Sequence, residues 1–231
     1  MRSLRQNERM DDAITELVRP TLLLVGALFP IVNTPQNIPV FLDLTRGLST
    51  ESRSILARKI ALNSFGLLIV SVLIGTHILA FFGISLPVVQ VAGGLMVMAT
   101  AWKLLNTADD DPKPSDVAPK TLKSSVLSKR AFYPFTLPLT VGPGSISVAI
   151  AVGASRSPGS AARWYLPVAA ILGCIMLSLT IYLGYRFAEP IGRALGDTAM
   201  SIIVRLSSFI LLCIGVQIVW NGARTLLSTL P

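Results

Sequence analysis

Charge is scarce in this chain of 231 residues, with Asp, Glu, Lys and Arg making up 14% of it against 52% hydrophobic residues. A water-soluble domain needs far more polar surface, so the solvent for most of the chain is lipid. Acidic residues are missing altogether from five windows of 20 residues or more: 60–82, 86–105, 131–153, 164–185 and 199–220. With no Asp or Glu at the centre of any window, the carboxylate relays of many proton-coupled pumps are excluded. The single histidine, His77, and the two cysteines, Cys174 and Cys213, show no metal-ligand spacing. There is no G-x-S-x-G and no His or carboxylate cluster to give an intramembrane hydrolase its nucleophile and base. We therefore expect no enzyme, no metal and no cofactor. Both cysteines are expected to pack as small buried apolar residues, and His77, Asn63, Gln90 and Gln217 to make interhelical hydrogen bonds.

About 20 apolar residues cross a hydrocarbon core roughly 30 Å thick, so each window is one expected span. A sixth window, 21–44, is long enough but interrupted, with Asp43 at its far end. Trp102, Trp164 and Trp220 fall at window ends, where indole rings favour the headgroup level. The net charge of +8 lies between the windows rather than in one patch interleaved with aromatics, which argues against a nucleic-acid partner. The mixed charges of 1–19 and the lack of a small-x-small site after the first apolar run argue for an uncleaved first span.

Six spans put the loops after spans one, three and five on one side, with twelve Lys and Arg against seven on the other. The positive-inside rule makes the twelve-charge side cytoplasmic and both termini external. The connection 106–130, with Asp109, Asp110 and Asp111 before Pro112, Pro114 and Pro119, is an expected polar cytoplasmic loop. Ser49 is a candidate N-cap with Glu51 in the first turn of a short lead-in to span two. Gly93-Gly94 is an expected close-packing face.

That loop separates two similar halves, residues 20–105 and 131–224 of a single membrane domain. At an offset of 108, Pro30, Pro35, Ile38 and Val40 match Pro138, Pro143, Ile146 and Val148, and a weaker match at an offset of 115 joins spans three and six. Three spans per half mean that the second copy is inserted upside down. The first apolar run, 21–32, covers about 18 Å as helix and stops near mid-membrane. Pro35 and Pro39 interrupt it, with Asn33, Thr34, Gln36 and Asn37 beside them, and Gly142-Pro143-Gly144 with Ser145 interrupts the fourth span at the matching place. Non-helical backbone at that depth must be buried in protein or line a wet cavity. Two prolines that merely kink packed helices remain the alternative. Paired breaks in two repeats point to a midplane site, where freed N–H groups attract an anionic group and freed carbonyls a cation, an arrangement that suits a zwitterion. Arg205, about 9 Å into span six as helix, is a candidate for a substrate carboxylate, with snorkelling to water as the alternative.

The segments LFPIVNTPQNIPVFLDLT, FGISLPVVQVAGG, PFTLPLTVGPGSI and VRLSSFILLCIGVQIVWNG resemble the MarC family of bacterial integral membrane proteins. That family looks like a branch of the LysE-type exporter superfamily, some of whose relatives are regarded as neutral amino-acid transporters. Departures from the family pattern fall at Thr34 and Gln36 in the first break, Gln90 in span three and Ser208 in span six. The resemblance implies an all-α bacterial inner-membrane protein of six helices in two inverted three-helix repeats. It is expected to move small polar solutes, neutral amino acids first among them. Its expected partners are that solute and the bilayer, and its oligomeric state is left open. The other function class kept open is a membrane scaffold without transport.

Overall fold

The computed structural model describes the backbone of residues 2–106, 124–154 and 165–228, and every regular element among them is helical. In chain order these are α1 (Arg2–Val32), α2 (Thr34–Leu44), α3 (Thr50–Phe81), α4 (Leu86–Asn106), α5 (Ser124–Arg130), a π-helical segment (Ala131–Thr140), α6 (Pro143–Ala154), α7 (Tyr165–Arg186) and α8 (Ala188–Ser228). Four helices are long and apolar enough to cross a membrane. Two bent pairs, Leu17–Val32 with Thr34–Leu44 and Val126–Thr140 with Pro143–Ala154, raise the number to six if each pair is one span. The acidic triplet and prolines of 107–123 and Trp164 lie outside the described residues.

Local chemistry sets the helix ends. Ser49 caps α3, its Oγ accepting from the Ser52 N–H at 3.2 Å, and Glu51 follows in the first turn beside the positive end of the helix dipole. The lead-in and the second span are therefore one continuous helix. At the sixth span the helix begins eleven residues earlier than the apolar window, at Ala188, and turns at Gly196, whose φ of 70° a glycine adopts without steric cost.

Small residues bring the helices together, as expected where lipid offers no hydrophobic gain for association. α4 lies along α8, and a Cβ on Gly94 would sit 2.9 Å from the Gly215 carbonyl oxygen. α3 packs on α6 and α7, and a Cβ on Gly153 would sit 2.1 Å from the Val72 carbonyl oxygen. Further contacts join α1 to α6 and α7, α4 to α6, α2 to α7, α8 and the π-helical segment, and that segment to α3 and α5. Three apolar cores result, one around Phe41, Leu56, Phe135 and Tyr185, a second around Leu28, Leu68, Cys174 and Leu177, and a small third of Val97, Ala101 and Leu211.

Several polar residues stand elsewhere than expected, because α8 and the far part of α3 turn wide faces outward. Cys174 is buried, but Cys213 on α8 is exposed. His77 is exposed on α3, and Gln217 bonds within its own helix, donating to Asn221 Oδ1 at 2.9 Å. The turns after α2 and α7 and the short α5 gather at one end of the bundle, where Arg53 meets Glu189 at 2.9 Å and Lys59 donates to Ser128. We call this the linker end.

Candidate functional site

The first break is a single residue. Asn33 has φ 42° and ψ 52°, a left-handed conformation that Asn tolerates better than most side chains. Its N–H closes α1 on the Phe29 carbonyl at 3.0 Å, and α2 starts at Thr34. Pro35 therefore sits in the first turn of α2, where no N–H is needed, and Pro39 lies inside the helix. The interruption expected at the prolines belongs to Asn33 instead, and the chain bends there by 41°.

The second break has more parts. Tyr133 and Leu137 are extended (φ −127° and −110°), each preceding a proline in a cis linkage, which fits the bias of a pre-proline residue away from the helical region. The hydroxyls of Thr136 and Thr140 donate to the carbonyls of Ala131 and Phe135 at 2.6 and 2.7 Å, and so occupy acceptors that a regular helix would use. Val141 is non-helical as well (φ −118°, ψ 86°), and Gly142 follows it before α6 begins at Pro143, with a bend of 70°. The interruption thus spans Val141 and Gly142, whereas Pro143 and Gly144 belong to the first turn of α6.

The fold brings the two breaks together. Asn37 donates through Nδ2 to the Val32 carbonyl at 3.2 Å and to the Leu139 carbonyl at 3.1 Å, so one side chain serves the backbone at both. The Tyr185 hydroxyl lies 2.7 Å from Thr140 Oγ1 and within reach of Asn37. Thr34 is buried, its methyl against Gly184, where a Cβ would approach it to 2.4 Å. Gly144 is buried against Val97, and Ser145 is buried beside it. Pro35 and Pro143 are exposed.

A second relay runs from the first break to α8. Asn33 Nδ2 donates to Gln36 Oε1, Gln36 Nε2 to Ser208 Oγ at 2.8 Å, and the Ser208 hydroxyl to the Val204 carbonyl at 2.7 Å. Gln36 and Ser208 are 2% and 0% exposed, so the middle of this polar chain is buried, while Asn33 at its end is half-buried. Arg205 lies on the same helix one turn before Ser208 and is exposed. The structure therefore gathers Asn33, Thr34, Gln36, Asn37, Gly142, Gly144 and Ser145 around the breaks and leaves Arg205 on an outward face. Sequence reasoning missed Thr140 and Tyr185 and noted Ser208 only as a departure from the family pattern. Thr140 and Ser208 both lie in quoted motifs, so each carried a readable signal.

Chemically, the arrangement offers amide and hydroxyl donors, two helix N-termini and interrupted backbone in the middle of an apolar bundle, with no carboxylate among the residues just described. The side chains of Asn33, Gln36 and Asn37 are engaged with one another, with Ser208 and with backbone in this conformation.

Compared with known proteins, the chain matches the family described as "MarC family integral membrane protein" over residues 20–227. It is 29% identical over 206 residues to "UPF0056 inner membrane protein MarC" of Escherichia coli strain SMS-3-5, covering 87% of this chain and 93% of the relative. Proteins of the same description from Escherichia coli K12 and Shigella flexneri are 28% identical over the same shares. No solved structure matches the chain significantly.

Proposed function

The chain belongs to the MarC family of integral membrane proteins, and from that premise we propose that it is a multi-pass inner-membrane transporter of small polar solutes, with neutral amino acids the first candidates. The observation that carries the reading is Asn37, whose one side-chain amide bonds the backbone of both breaks at mid-bundle. A scaffold has no evident use for two interrupted helices meeting at one polar point, while a solute site needs interrupted backbone and short polar side chains there whose present bonds a ligand can replace. Helix N-termini at Thr34 and Pro143 favour a carboxylate, and interrupted carbonyls favour an ammonium, so the proposed ligand class is a zwitterion. Asn33, Thr34, Pro35, Gln36, Asn37, Gly142, Pro143, Gly144, Ser145 and Arg205 are the proposed substrate residues.

Two inverted repeats, joined by the loop 106–130, are part of this reading. Their support is the way the contacts pair off. Exchanging α1, α2, α3 and α4 with the π-helical segment, α6, α7 and α8 turns the larger packings into others that are present: α3–α6 into α7–α2, α1–α7 into the π segment on α3, and α4–α6 into α8–α2, while α3–α7 and α4–α8 map onto themselves. At the offset of 108, Asn33 also corresponds to Val141, so the non-helical residues coincide.

The test is thermal unfolding of the detergent-purified protein with a panel of neutral amino acids, together with uptake into proteoliposomes. A true ligand at 100 times its dissociation constant adds about 2.7 kcal/mol of stability. At least one amino acid is expected to raise the transition and to be transported. If none does either, the scaffold reading replaces this one.

A further inference from the structure

At the linker end, the ends of α2 and α7 and the starts of α3 and α8 enclose a cavity of about 240 Å³. Arg53, Arg186, Glu189 and Arg193 stand in its walls, and Phe41 and Tyr185 form its floor. The two rings are almost fully buried and stack with centroids 4.6 Å apart. Phe135 meets Phe41 edge-on at 5.5 Å. Beyond the rings, the Tyr185 hydroxyl reaches Thr140, the last residue before the second break. A charged mouth, an aromatic floor and the polar breaks thus follow one another along a single line of contacts.

The mouth is held by groups from both halves of the chain. Arg53 Nη1 on α3 donates to Glu189 Oε2 on α8 at 2.9 Å, while its Nε and Nη2 donate to the Thr45 carbonyl at 3.3 Å. Arg193 takes the other Glu189 oxygen at 3.1 Å. The Arg53 side chain is only 19% exposed, so its pair keeps more strength than an open surface ion pair. The nearby Arg46–Asp43 pair lies within one half, its side chains 47% and 55% exposed, and makes a natural control.

We propose that this cavity is the linker-end mouth of the solute route, with the Arg53–Glu189 pair as its outer closure and the Phe41–Tyr185 stack as its inner one. The proposal rests on the transport reading given above. Moving the α7–α8 turn away from the α2–α3 turn breaks the ion pair, parts the rings and frees Tyr185 from Thr140, so one motion opens both closures. Three arginines against one glutamate make the mouth positive, and an anionic group on the solute is the part that can take the place of Glu189 on Arg53.

The test needs no solute. In protein purified into nanodiscs, with Cys213 replaced by Ala, Thr140→Cys reports on access behind the rings, and native Cys174, fully buried in the second core, reports on general loosening. Both are labelled with a charged thiol reagent and read by peptide mass spectrometry. Glu189→Gln should speed labelling at position 140 by about tenfold, the effect of losing one charge-assisted hydrogen bond on an opening equilibrium, Phe41→Leu should speed it several-fold by removing the stack on Tyr185, and both should leave Cys174 unchanged. Asp43→Asn should change neither site. Equal acceleration at both sites, or none at position 140, overturns the gate. Since no transported solute is involved, a gate that behaves as expected in a protein that moves nothing would sink the transport reading alone.

Discussion

Ser208 is the smallest side chain on which the first break depends. Its hydroxyl accepts from the Gln36 amide and donates to the Val204 carbonyl, with Gln36 and Ser208 themselves buried. Ser208→Ala leaves a buried amide hydrogen without an acceptor. Interhelical hydrogen bonds in membranes average about 0.6 kcal/mol, and an orphaned buried donor costs about 1–3 kcal/mol. A loss of about 1 kcal/mol is therefore expected in detergent unfolding of the variant, and Gln36→Leu on top of it should restore part of that loss by removing the orphan. A double variant destabilised by the full sum of the singles would show that the pair is not coupled. Arg205 poses a different question, since it faces outward one turn away from Ser208. If its charge receives a solute carboxylate, Arg205→Lys keeps part of the transport and Arg205→Gln abolishes it at normal expression. Full transport by the Gln variant would favour the snorkelling role.

Among the elements, the α4–α8 contact and the bend before α6 use glycine for different ends. A Cβ on Gly94 would lie 2.9 Å from both the Gly215 carbonyl oxygen and the Val219 nitrogen, and backbone cannot step aside as a side chain can. Overpacking costs about 1–3 kcal/mol, so Gly94→Ala should destabilise at least as much as Ser208→Ala in the same unfolding assay, without touching the breaks. At the bend, a helix running straight through would make 142–144 interior positions, where Ala is better than Gly, Pro and Gly by about 1, 3 and 1 kcal/mol. The Gly144 position resists, since a Cβ there would lie 2.1 Å from Val97 Cγ2. Adding Val97→Ala removes that clash and makes the straightening test clean. The quadruple variant is expected to insert and fold but to lose transport and ligand-induced stabilisation; a normal transport rate would reduce the bend to a packing kink. The spans were legible in the sequence because lipid imposes both length and the exclusion of acids. The break positions were legible only to within a residue or two, because Pro35 and Pro143 mark first turns rather than the interruptions themselves. The π-helical segment was not legible, since 131–140 reads as an apolar run. Nor were the partners Gln36–Ser208 and Thr140–Tyr185, 172 and 45 residues apart, which only the packing brings together.

On the scale of the whole molecule, the linker end gathers the turns after α2 and α7 with α5, and the loops that meet there carry twelve of the Lys and Arg residues against seven for the opposite end and the N-terminus. The charge bias acts within a short distance of the spans and so predicts a cytoplasmic linker end. Four arginines among residues 1–19 oppose it, yet four acids accompany them in the same stretch, whereas the loop between α3 and α4 carries no positive charge at all. Orientation decides what the gate means: a cytoplasmic mouth takes in solute on the side where an exporter is loaded. Single cysteines at two exposed positions, Glu51 near the linker end and Ser85 in the opposite loop, test it in a chain lacking Cys174 and Cys213. In intact cells an impermeant thiol reagent should label Ser85→Cys and spare Glu51→Cys until the membrane is opened. The reverse pattern would turn the molecule over, place the arginine-lined mouth outside and make the same gate an entry point for uptake.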